Sequence, residues 1–168
     1  DTRRPLQVVS RSDSTLRGHF PGELDALQEE LEARSGVLFD GACLIPYFGE
    51  AGRFTVGDVH WVDLGDRVVP AASTPFARDA AFGYRHSRLP EWVAEKTGGR
   101  VRADDVLSVS IETLRQQGPQ GAAETLRRAR RRIVVVNAAD DRDLEVFVCG
   151  VMHVEAEGMH FLFRSAAP

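Results

Sequence analysis

Cysteine is scarce in this chain: there are two, Cys43 and Cys149, each among apolar neighbours. Two buried thiols are expected, a disulfide or metal-holding pair being the alternative, and the reading favours a cytoplasmic setting. Long apolar runs are missing too. None approaches the roughly 20 residues that span a bilayer, and residues 1–5 are charged, unlike a signal peptide. Positive charge is not in excess: 21 Lys and Arg against 25 Asp and Glu give a net charge of −4, so nothing global attracts nucleic acid. The single basic block, Arg127, Arg128, Arg130, Arg131 and Arg132, falls late in an expected helix, where cations suit the negative dipole end. It has no interleaved aromatics of the kind RNA binding favours. The five histidines show no His-x-x-x-His spacing, so no metal site is expected. A Gly-x-x-x-x-Gly-Lys-Ser/Thr phosphate loop and a hydrolase nucleophile elbow are both lacking.

What is present suits one globular domain of 168 residues, with 43% hydrophobic and 27% charged residues. Short apolar runs at 6–10, 42–46, 106–110, 133–136 and 160–164 read as buried strands. Between them, Phe20, Leu24, Leu27 and Leu31 recur at helical spacing, with Pro21 at the start and Gly36 at the stop. Residues 89–96 make a short helix ended by Gly98-Gly99. A helix at 111–117 breaks at Gly118-Pro119 and resumes over 122–131. The last helix, 141–157, is expected to turn Leu144, Val148, Val151 and Met152 inward. Residues 53–56 and 59–62 flank Gly57-Asp58, a two-residue hairpin signal, and 65–87 reads as a long ordered loop. The alternation of strand and helix predicts an α/β layered domain with a largely parallel sheet flanked by helices, plus an inserted β-hairpin. The chain has no initiator Met, starts almost at once on an apolar segment and ends in Ala166-Ala167-Pro168. It therefore reads as a piece of a longer polypeptide.

Ligands of open α/β sheets gather outside the carboxyl ends of the strands. Four polar segments are expected there, and the first is the richest: Arg11-Ser12-Asp13-Ser14-Thr15-Leu16-Arg17-Gly18. Arginine grips a carboxylate or phosphate through two parallel hydrogen bonds, and a carboxylate accepts from sugar hydroxyls. Gly18 lets backbone approach a ligand, and the opening of the next helix favours an anion. A polyhydroxy acid needs all of these; a merely capped loop, with Asp13 paired to an arginine, uses the same residues. The other segments offer Glu50 with Arg53, Asp79 beside Arg78 among Phe76, Phe82 and Tyr84, and Asn137 ahead of Asp140 and Asp141. For these the bland readings are a surface ion pair, loop packing and a helix cap. Among the histidines only His19 lies inside the first segment.

Residues 8–23, VVSRSDSTLRGHFPGE, resemble the signature of the four-carbon acid sugar kinases, in which a Lys or Arg precedes Asp-Ser-Thr-Leu-Arg-Gly at a strand–helix junction. Residues 76–84 (FARDAAFGY), 95–99 (EKTGG) and 135–138 (VVNA) are similar to family segments in the same order. The resemblance implies the sugar-acid-binding N-terminal domain of a kinase that uses ATP and Mg²⁺ to phosphorylate the terminal hydroxyl of a tetronate or 3-oxo-tetronate. It implies Arg11, Ser12, Asp13, Ser14, Thr15, Arg17 and Gly18 as substrate-binding, with Asp13 and Arg17 closest to the chemistry. Glu50, Arg53, Asp79 and Asn137 join them as substrate-binding candidates. The partners implied are the small sugar acid and a C-terminal nucleotide domain, with neither nucleic acid nor membrane; a homodimer is compatible. The family's opening Ala-Asp-Asp-x-Thr-Gly-Ala segment and its Gly-rich nucleotide part have no counterpart here, so residues 1–168 are expected to be inactive alone. A non-catalytic module that binds small anions is the alternative.

Overall fold

Apolar strand residues with no polar alternation require cover on both faces, and the fold supplies it. The structure, a computed structural model, describes residues 7–166. Five strands, β1 (Val9–Ser12), β2 (Gly41–Ile45), β6 (Leu107–Val109), β7 (Arg132–Val136) and β8 (Phe161–Ala166), form one sheet in the order β1-β8-β2-β7-β6. Every pairing in it is parallel, so all five carboxyl ends share one edge. Between β2 and β6 the chain forms β3 (Arg53–Val56), β4 (Val59–Asp63) and β5 (Val68–Pro70), a separate antiparallel sheet. Gly57 and Asp58 both have positive φ, 61° and 63°, as the tight two-residue hairpin requires. The expected hairpin is thus real but gains a third strand, drawn from what reads in sequence as loop.

Side chains alternate across the main sheet. Cys43, Val134, Val136, Phe161 and Phe163 face a core with α3 (Gly118–Arg127) and α4 (Asp141–Ala156). Leu44, Val135 and Leu162 face the opposite core, which holds Leu24 of α1 (Gly22–Ser35) and Leu89, Trp92 and Val93 of α2 (Leu89–Lys96). The two helices of the first core touch closely: a Cβ on Gly150 would stand 2.7 Å from that of Ala122.

Several expectations need correction. The first strand ends at Ser12, two residues later than expected, and Leu6 lies outside the described residues. The break at Gly118-Pro119 is a π-helical turn over Thr113–Gln117 that runs into α3. That helix stops at Arg127, because Arg130 and Arg131 take left-handed φ to enter β7. The arginine block is therefore not a helix face: Arg127 pairs with Glu157 and Arg131 with Glu32. Along α4 the buried stripe is Phe147, Gly150, Val151 and Val154. Leu144 and Val151 meet the core as expected, whereas Val148 and Met152 sit beside that stripe, 52% and 61% exposed. Cys43 is buried but Cys149 is exposed. No helix of the described residues is long and apolar enough to cross a membrane.

Candidate functional site

The carboxyl edge of the main sheet is partly occupied by the small one. Thr55 exchanges backbone hydrogen bonds with Ala138, just past β7. Asp58 in the hairpin turn bonds to Ser108 and Asn137 at the ends of β6 and β7. These contacts cover part of the β6–β7 end. At the other end, past β1 and β8, a cavity of about 370 Å³ stays open.

The loop after β1 builds one wall. Asp13 Oδ2 accepts from the Thr15 N–H at 3.2 Å, from the Thr15 hydroxyl and from Arg17 Nε at 2.9 Å. This pulls the loop into a tight coil with Leu16 buried and in the left-handed region, φ 66°. Tyr84 donates to the Thr15 carbonyl at 2.7 Å, and the buried His60 reaches the Ser14 carbonyl at 2.7 Å. The loop is thus fastened from outside as well as within. Burial acts to raise the Asp13 pKa, but the hydrogen bonds from Arg17 and Thr15 outweigh it and hold the carboxyl below its usual range.

Arg17 continues outward. Its Nη1 stands 3.7 Å from Asp79 Oδ2, and its guanidinium lies 5.1 Å from the centre of the Phe76 ring. Asp79 accepts from the Phe82 and Ala81 N–H groups, each at 2.9 Å, and these bonds keep it ionised. His19 packs edge-on against Phe82, closing that side.

Of the residues read from sequence, Arg11, Ser12, Asp13, Arg17, Gly18 and Asp79 all line this cavity. The rest do not. Ser14 and Thr15 sit behind the loop as its fastenings. Glu50 lies in a second concavity with Tyr47 and Asp141. Arg53 stands behind Phe76, 5.7 Å from its ring centre, and donates to the Ala51 carbonyl. Asn137 shares the carboxyl edge but is 0% exposed, its amide spent on Asp58, Ser108 and the Val109 carbonyl. These bonds hold the small sheet onto the large one.

Two lining residues escaped the sequence reading, Glu23 and Arg164. Glu23 falls in the first turn of α1, where an acid reads as a partner of the helix dipole. Arg164 follows Phe161-Leu162-Phe163 on a strand covered on both faces, at a position that alternation assigns to the core. A charge there was the available signal.

A parallel α/β domain with a cavity at its carboxyl edge, lined by three guanidinium groups and three carboxylates, is a binding domain for a small polar ligand. The family model for a sugar-binding N-terminal domain matches residues 1–168, and the chain belongs to that family. It is 29% identical over 150 residues to the D-erythronate kinase of Heliobacterium modesticaldum, an alignment covering 88% of this chain and 31% of that protein. The fold matches Haemophilus influenzae protein HI1011 with a TM-score of 0.71 at 18% identity, over 95% of this chain and 35% of that one. A protein of Salmonella typhimurium LT2 gives 0.69 at 18% identity, over 94% and 34%. The chain thus spans about a third of the length of these relatives.

Proposed function

We propose that these residues form the acceptor pocket of an ATP-dependent kinase for four-carbon sugar acids, with a tetronate such as erythronate as substrate and its terminal hydroxyl as acceptor. The observation that carries the reading is the convergence of Arg11, Ser12, Asp13, Arg17, Gly18 and Asp79 on one cavity. The D-erythronate kinase relative supplies the substrate class.

In this reading Arg11, with Arg17 beside it, receives the substrate carboxylate. Asp13 accepts from the acceptor hydroxyl, and Arg17 holds Asp13 ionised and aimed. A carboxylate with a lowered pKa is a weak base, yet phosphoryl transfer asks chiefly for positioning and charge stabilisation. In this proposal ATP and Mg²⁺ are carried by a nucleotide-binding C-terminal domain of the complete polypeptide. A cytoplasmic location accompanies the proposal.

The test is an ATP-dependent phosphorylation screen of the complete polypeptide against a panel of tetronates and 3-oxo-tetronates. Residues 1–168 alone are expected to bind the acid without turnover. Absence of both binding and turnover across the panel would refute the reading.

A further inference from the structure

Arg164 is 2% exposed, and the sheet's alternation turns it to the side where α1 begins. Its Nη1 donates to Glu23 Oε2 at 2.8 Å, while the Ser10 hydroxyl donates to Glu23 Oε1 at 2.6 Å. Both carboxylate oxygens are therefore gripped from beneath, by side chains on two adjacent strands. The guanidinium also lies 5.8 Å from the Phe20 ring centre, and its Nη2 would stand 3.2 Å from a Cβ on Gly18, so the loop backbone passes directly over it. Glu23 itself is part exposed, with 39% of its side chain accessible, and lines the same cavity as Asp13 and Arg17. A carboxylate accepts several hydrogen bonds at once. With one bond to each oxygen from below, Glu23 retains lone pairs for a donor arriving from the open side.

We propose that Glu23 is a ligand-binding residue of this cavity, accepting a hydrogen bond from a hydroxyl of a polyhydroxy acid, and that Arg164 and Ser10 are the positioning residues that aim it. The assignment rests on the acceptor-pocket reading above and adds a hydroxyl-reading group to it. If the cluster only fastened α1 to the sheet, its loss would change stability and leave ligand preference alone.

The experiment is calorimetric titration of the complete polypeptide with erythronate and with its 2-deoxy, 3-deoxy and 4-deoxy analogues. In the wild type, deleting the hydroxyl that Glu23 accepts weakens binding about 10- to 100-fold, as for a hydrogen bond to a charged group. Glu23→Gln weakens erythronate to a similar degree and brings its discrimination against that one analogue close to unity, leaving the other two ratios unchanged. Arg164→Lys and Ser10→Ala each weaken erythronate several-fold in the same hydroxyl-dependent way. Should Arg164→Lys melt below the assay temperature, Ser10→Ala reads the same point, because it releases Oε1 and gives up only a long 3.4 Å bond from Arg164. Wild-type ratios for all three analogues in Glu23→Gln would overturn the assignment while leaving the acceptor pocket standing. Failure of the wild type to bind any of the four acids would remove both.

Discussion

The His60 ring joins the small sheet to the signature loop: its Nε2–H donates to the Ser14 carbonyl at 2.7 Å. A carbonyl only accepts, so the proton is on Nε2, and Nδ1 accepts from the Thr55 hydroxyl at 2.9 Å. Burial pushes this imidazole down to about 4 from 6.5.

A pH dependence follows, and its sign is fixed by that depression. Between pH 6.5 and about 4 the unfolded chain takes up a proton that the folded chain refuses, so stability falls as the pH drops and then levels off. The loss approaches roughly 3 kcal/mol over the window, at up to about 1.4 kcal/mol per pH unit. Asp13, Glu23 and Asp79 are all held below their usual carboxyl values, so their contributions are lost mostly at lower pH, below this window. Denaturant melts at pH 7, 6 and 5 on the wild type and His60→Gln separate the two sources. Equal slopes in both proteins would show that His60 is not the group responsible.

Much of this was legible in the sequence, and the misses have physical reasons. Strand positions and the Gly57-Asp58 turn follow from short-range chemistry. Asp13, Arg17 and Gly18 could be placed at the carboxyl edge because they follow a buried strand, but the sequence left open whether Asp13 serves a ligand or pairs with an arginine, and in the fold it is paired to Arg17. Asn137 misled because a polar residue at a strand end looks the same whether it faces a ligand or a neighbouring turn; only the fold brings Asp58 against it. Arg164 was overlooked because its partner Glu23 is 141 residues away in sequence. Val148 and Met152 read as inward because they flank the buried stripe at nearly the same helical spacing.

Asn137 should behave as a structural residue. Asn137→Ala strips partners from the Asp58 N–H, the Ser108 hydroxyl and the Val109 carbonyl in a buried site. A cost of about 2–4 kcal/mol is expected, or roughly 4–16 °C in Tm for a domain of this size. Erythronate affinity measured well below Tm should stay within about twofold. A large loss of affinity in a stably folded variant would return Asn137 to the binding set.

The α3–α4 contact should be intolerant of one methyl group. A Cβ on Gly150 meets Ala122 Cβ at 2.7 Å and the Pro119 carbonyl at 2.8 Å, both on backbone that cannot simply swing away. Gly150→Ala should therefore cost roughly 1–3 kcal/mol by overpacking, although alanine is the better helix former. A thermal melt settles the sign: a raised Tm would mean that the helices separate easily.

Arg17 is tied to Asp13 at 2.9 Å and stands 3.7 Å from Asp79, all three side chains about a third exposed. Solvent screening keeps such pairs weak, so Arg17→Lys should cost only about 0.5–1 kcal/mol, on the order of 1–4 °C in Tm. Function should suffer more. Lysine preserves the charge but cannot present Nε and two Nη groups in one plane, so Asp13 and Asp79 lose their shared clamp. If Asp13 orients the acceptor hydroxyl, the loosened carboxylate should lower kcat/KM of the complete polypeptide by roughly 10- to 100-fold. A structural role for Arg17 predicts the reverse, a clear fall in Tm with kinetics of the folded enzyme intact. Both quantities come from one preparation of one variant, and the second pattern would remove Arg17 from the site.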